Sequence, residues 1–137
     1  MYLAEPLSTA AREVVNEYQQ PILVNELQEL EFRNGLRQKV LRREITASEL
    51  ACALRIFEDD VIEGKVQPKA VVWRQVYREA ERLSRRLSLQ QICRSFDLLH
   101  VAVAVLSDVK RFATFDVPQA KLARAAGLRP VEFPGSQ

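Results

Sequence analysis

The sequence has little of what many kinds of site require. Its only two cysteines are Cys52 and Cys93. They lie far apart without CxxC or CxxH spacing, so neither a disulfide framework nor a cysteine zinc site organises the chain. The single histidine, His100, lies within an apolar stretch, and no serine or cysteine pairs with it at a recognisable spacing. A nucleophilic triad is therefore not readable, and His100 is expected to be a hydrogen-bonded core residue. The longest purely apolar run, Val101 to Leu106, is far short of a bilayer span. No basic start followed by an apolar stretch opens the chain, so a cytoplasmic location away from the membrane is expected. Internal repeats and low-complexity tracts are absent, and the few glycines and prolines lie at joints between periodic segments.

What is present is ordinary globular composition. The 137 residues, 47% hydrophobic and 28% charged, suit one domain with a sizeable core. The net charge of +2 conceals two arginine-rich groups. One is Arg33, Arg37, Lys39, Arg42 and Arg43; the other is Arg74, Arg78, Arg82, Arg85 and Arg86. In the second, Arg74, Arg78, Arg82 and Arg86 recur every fourth residue and share one helical face. Such a stripe can bind phosphate. With Glu79 and Glu81 diluting it, a solvated face is the favoured reading.

Local signals order the elements. Ser8 can cap a helix to about Tyr18, and Ile22-Leu23-Val24 reads as a buried strand. Asn25 with Gln28, and Thr46 with Glu49, have capping-box spacing. The first opens a helix bearing Leu27, Leu30, Leu36, Val40 and Leu41. The second opens one bearing Leu50, Leu54, Phe57 and Val61, with Gly64 as its stop. After a break at Gln67-Pro68, Val72, Val76, Leu83 and Leu87 mark an amphipathic helix. Leu98 to Leu106 is apolar nearly all round and reads as a buried helix. A strand from Phe112 to Phe115, a helix opened by Pro118 and closed by Gly127, and a strand from Pro130 to Phe133 suggest a right-handed parallel crossover. Asp116 would then stand past the carboxyl end of a strand, where open α/β sheets bind ligands.

Asp97 begins the most apolar helix between Phe96 and Leu98, where a carboxylate needs a partner. Helix capping, shared with Ser95, or dipole stabilisation explains it about as well as a site does. Asp116 has the same structural alternative, because Pro118 starts a helix immediately after it. Glu31, on the edge of an apolar helix face, adds a third carboxylate, although alone it reads as exposed. An oxygen-only set of this kind suits Mg²⁺ or Mn²⁺, which polarise a phosphodiester and make hydroxide available near neutral pH.

The segment RSFDLLHVAVAVLSDVKRFATFDVPQAKLARAAGL closely resembles the C-terminal half of PIN-domain proteins, especially the VapC-like toxins of bacterial toxin-antitoxin pairs. The resemblance rests on D-x-L-H-x-A at Asp97 to Ala102, T-F-D at Thr114 to Asp116, and Q-x-x-L-A-x-x-x-G-L from Gln119 to Leu128. It continues more loosely through LVNELQELEFRNGLR, with Glu31, and through YLAEPLS at the N-terminus. It implies an α/β fold of three layers, a parallel sheet flanked by helices. It also implies a Mg²⁺- or Mn²⁺-dependent endoribonuclease whose acidic positions are matched by Glu31, Asp97 and Asp116. Thr114 matches a polar position beside that site. The implied partners are an RNA substrate, an antitoxin protein and a second copy of the chain.

In that family the first acidic residue is an Asp at the end of an N-terminal strand, ahead of the segment matched by YLAEP. The sequence starts at Met1-Tyr2-Leu3. The resemblance therefore implies that the central strand is missing and that cleavage is impaired. The alternative is a non-catalytic module that keeps the scaffold and acts through protein-protein association.

Overall fold

A computed structural model describes residues 13, 16–17, 19–131 and 133. The helix expected from Ser8 to Tyr18 lies outside the described residues except for Glu13, Asn16 and Glu17, which are helical and exposed. The YLAEPLS segment lies outside them entirely. The chain groups into two compact units, Met1–Ala70 and Val71–Gln137. The architecture is α/β, mostly helical with small parallel sheets.

In the first unit, β1 (Ile22–Val24) is followed by α1 (Glu26–Leu41), α2 (Ala47–Ile62) and β2 (Val66–Pro68). Both capping boxes form: Asn25 with Gln28 opens α1, and Thr46 with Glu49 opens α2. Asn25 is buried, and its Oδ1 accepts from the Leu27 and Gln28 N–H groups at the start of the helix. The α2 helix stops at Gly64, which takes φ 75°. The Gly64 N–H donates to Val61 O and the Lys65 N–H to Asp60 O, the paired bonds of a Schellman cap.

β2 pairs in parallel with β1, Ile22 opposite Val66 and Val24 opposite Pro68. This corrects the reading of Gln67-Pro68 as a break. Proline loses nothing as the last residue of a short edge strand, and the next N–H, of Lys69, donates to Val24 O at 2.7 Å. Of the α1 apolar series only Leu36 is fully buried, whereas Leu30 and Leu41 are exposed. Phe57 of α2 is buried, with the Phe32 ring 5.0 Å away between centroids and the Arg33 guanidinium 5.3 Å from its own centroid.

The second unit contains α3 (Trp73–Leu87), α4 (Ser95–Leu106), β3 (Arg111–Phe112), α5 (Val117–Ala125) and β4 (Arg129–Pro130). Val76 and Leu83 of α3, Val101 and Ala102 of α4, and Leu122 and Ala123 of α5 form its fully buried centre. This agrees with α4 being apolar nearly all round. His100 is half-buried on it. The outer face of α3 carries the arginine stripe, of which Arg82 pairs with Glu79 and Arg86 donates to Ala125 O, while Arg85 beside it pairs with Glu81. That favours a solvated face.

β3 and β4 pair in parallel through the α5 crossover, with Arg111 opposite Arg129 and Phe112 opposite Pro130. The order is as expected, but β3 begins one residue earlier and ends at Phe112 rather than Phe115. After Phe112 the Thr114 hydroxyl accepts from the Asp116 N–H at 3.1 Å, and this local turn takes a donor that a longer strand would use. Among the described residues the strands pair as two separate two-stranded parallel sheets, β1-β2 and β3-β4, rather than as one. No described helix is long and apolar enough to cross a membrane.

Candidate metal centre

Asp97 enters the second unit in the first turn of α4. The N-cap of α4 is Arg94, which makes no side-chain cap bond. The Asp97 carboxylate does not cap either. Its Oδ2 accepts from Arg94 Nε at 2.8 Å and its Oδ1 from Gln119 Nε2 at 3.2 Å. Capping is therefore not why an aspartate stands there, although its charge does suit the positive end of α4.

Asp116 does cap. It is the N-cap of α5, its Oδ1 accepting from the Gln119 N–H at 2.8 Å. Its Oδ2 faces away from the cap and accepts from Arg94 Nη2 at 2.6 Å. Thr114 acts on the backbone beside it, through the bond to the Asp116 N–H.

The two carboxylates are thus held in the same way. Gln119 takes one oxygen of each, by its side chain for Asp97 and its backbone for Asp116. Arg94 takes the other oxygen of each. The Nε and Nη2 donors form one edge of the guanidinium, a fork that usually grips both oxygens of a single carboxylate. Here it grips one oxygen from each of two residues, so Asp97 Oδ2 and Asp116 Oδ2 converge on one positive charge. Asp97 is largely covered, at 14% side-chain exposure, whereas Asp116 is open to solvent at 40%. The Gln119 N–H, and after it the Arg94 guanidinium, holds the Asp116 carboxyl below the usual aspartate range. In return Asp116 and then Asp97 push the Arg94 value up.

Glu31 is exposed on α1 in the first unit. Among the described residues no three His, Cys, Asp or Glu side chains stand close enough together to hold a metal ion. The pair itself suits one: Mg²⁺ keeps several waters and is commonly held by one or two carboxylates plus substrate phosphates. Two carboxylate oxygens already directed at a common cation are such a donor set.

Sequence reasoning brings Asp97, Asp116 and Thr114 into one neighbourhood. It missed Arg94 and the double role of Gln119. The signal for Arg94 is a cation three residues before an aspartate at a helix start, a spacing that places the two side chains together. For Gln119 it is the N3 position after an N-cap aspartate, whose N–H the cap takes.

A carboxylate pair beyond the carboxyl end of a parallel strand, at the mouth of an α/β crossover, defines a class of acidic ligand site. The family comparison agrees in placing the chain: the PIN domain family matches residues 1–125, and the chain belongs to that family. Comparisons with curated proteins and with solved structures return no match. PIN domains are generally associated with nuclease activity and typically use divalent metals.

Proposed function

We propose that the protein is a metal-dependent endoribonuclease of the VapC-like toxin type, with Asp97 and Asp116 as its principal metal-holding residues. The observation that carries this is the convergence of Asp97 Oδ2 and Asp116 Oδ2 on a single cation. When bound, Mg²⁺ or Mn²⁺ supplies Lewis-acid polarisation of a phosphodiester and a bound water of lowered pKa. The chain's own part is to keep the two carboxylates convergent. Gln119 fixes both by their outer oxygens, and Thr114 fixes the turn that delivers Asp116.

Glu31 joins the set through the family resemblance alone. Two carboxylates hold a divalent ion loosely, so impaired, metal-demanding cleavage is expected. The family match runs through both compact units, which supports reading them as one domain. RNA is the substrate on this reading, in the cytoplasm, and an antitoxin protein and a second copy of the chain are the protein partners.

The test is cleavage of single-stranded RNA with Mn²⁺ or Mg²⁺, with excess chelator, and by Asp97→Asn. Cleavage that needs metal and is lost in the variant supports the reading. Cleavage indifferent to Asp97→Asn would remove the residue from it.

One observation favours a second reading, a scaffold working by association. Ile92 and Phe96, either side of Arg94, are 87% and 58% exposed, an apolar surface beside carboxylates already satisfied by an arginine. Stable complex formation by a chain that never cleaves RNA at any metal concentration would decide for it.

A further inference from the structure

The fork of Arg94 and a divalent ion make the same demand on the same two atoms. Asp97 Oδ2 and Asp116 Oδ2 point at Nε and Nη2, at 2.8 and 2.6 Å. Their opposite oxygens are already committed to Gln119. A cation drawing on both inner oxygens therefore competes for them with the guanidinium, whose own charge repels it.

Without a positive charge between them the two carboxylates would repel each other. Arginine is the side chain that keeps its charge at every physiological pH, so it does this unconditionally. Its hold is also releasable. The Arg94 side chain is 59% exposed, and it makes no cap bond to α4 that would tie it down. Exposed ion pairs are individually weak, and such a side chain can swing into solvent.

Resting on the metal-dependent reading above, we propose that Arg94 is a built-in competitor for the metal. It holds Asp97 and Asp116 convergent in the metal-free protein and must be displaced by the divalent ion, so it sets the concentration at which the site loads. Arg94 is thus a positioning residue, and its removal has a sign that a merely structural role would not give. Losing a supporting residue weakens a metal site; losing a competitor strengthens it.

The experiment is Mn²⁺ binding to the full chain by calorimetry and by loss of the free-ion paramagnetic resonance signal. Wild type is compared with Arg94→Ala, Arg94→Gln and Asp97→Asn, each checked for fold by circular dichroism. Arg94→Gln keeps a donor without the charge and serves if Arg94→Ala does not fold. The expected result is Mn²⁺ affinity increased between about twofold and thirtyfold in both arginine variants, from two exposed pairs. Their melting temperature in chelator should fall below that of wild type, and their gain on adding Mn²⁺ should exceed it. Wild-type binding that is Asp97-dependent but unchanged or weakened in the arginine variants would overturn the proposal and leave the metal reading standing. Curves identical for all four proteins, with no Asp97 dependence, would overturn both.

Discussion

Gln119 is hydrogen-bonded to Asp97, its Nε2 donating to Oδ1 at 3.2 Å, while its backbone N–H donates to Oδ1 of the capping Asp116 at 2.8 Å. One residue of α5 therefore fixes the spacing between an aspartate of α4 and the aspartate that begins its own helix. The two bonds are separable, since substitution removes the side-chain bond and leaves the backbone one. For Gln119→Ala we expect stability lowered by no more than about 1 kcal/mol, one half-exposed hydrogen bond. Divalent-ion affinity should fall about tenfold or more, as when a partner that orients a metal-holding carboxylate is lost. Urea unfolding and Mn²⁺ titration on the same preparation read the two effects.

Asp116 carries two roles that substitution can also divide. Asparagine caps a helix as well as aspartate does, whereas alanine does not. Asp116→Asn should keep its bond from the Gln119 N–H and unfold within a few tenths of a kcal/mol of wild type once its ion pair with Arg94 is discounted for exposure. Asp116→Ala should lose about 1 kcal/mol more. Both should lose Mn²⁺ binding. Retained binding in Asp116→Asn would show that the charge of Asp116 is not used.

These roles show how far the sequence could be read. The capping boxes at Asn25 and Thr46, the glycine stop at Gly64 and the apolar run from Leu98 were legible because each depends on residues within one or two turns. The strand at Val66–Pro68 was not, because its only cause is a partner strand far away in sequence, and proline argued against it. The strand at Arg111–Phe112 ends before the apolar pattern through Phe115 does for a related reason: Thr114 turns its hydroxyl onto the Asp116 N–H, a competition that hydrophobic pattern does not record. At the site, the aspartates were visible because charge at the start of an apolar helix and charge at the end of a strand are both conspicuous. Arg94 was hidden among many arginines, since nothing in spacing says that one guanidinium will be shared by two carboxylates from different helices.

The core of the second unit gives a prediction of stability with no bearing on charge. Leu83 is wholly inaccessible, in the centre formed with Val76, Val101 and Leu122. Leu83→Ala removes buried methyl groups and leaves a cavity that helix backbones cannot close, costing about 2–5 kcal/mol. Leu89, on the same stretch of chain but 95% exposed, should tolerate Leu89→Ala within about 0.5 kcal/mol. Chemical denaturation of the pair checks the contrast, and equal losses would contradict the packing described.

Acid should act on the first unit through Glu49. Its Oε2 accepts from the Thr46 N–H at 2.7 Å and from the Thr46 hydroxyl at 2.8 Å. The backbone bond, and then the hydroxyl bond, holds its carboxyl below the usual glutamate range. In the unfolded chain the same group titrates at about 4.3, so between the two values the unfolded state binds more protons. The stabilisation of α2 by this cap is therefore complete above the ordinary value and is lost as pH falls through the depressed one. Carboxyl carbon NMR should place the Glu49 midpoint below those of exposed glutamates, and Thr46→Ala should return it toward them, because both bonds that favour the charged form start at Thr46 or depend on its orientation. Glu49→Gln keeps an acceptor but cannot titrate. Its α2 amide exchange should therefore lose the acid dependence that wild type shows in that window, and an acid response identical to wild type would mean that the cap is not what protonation breaks.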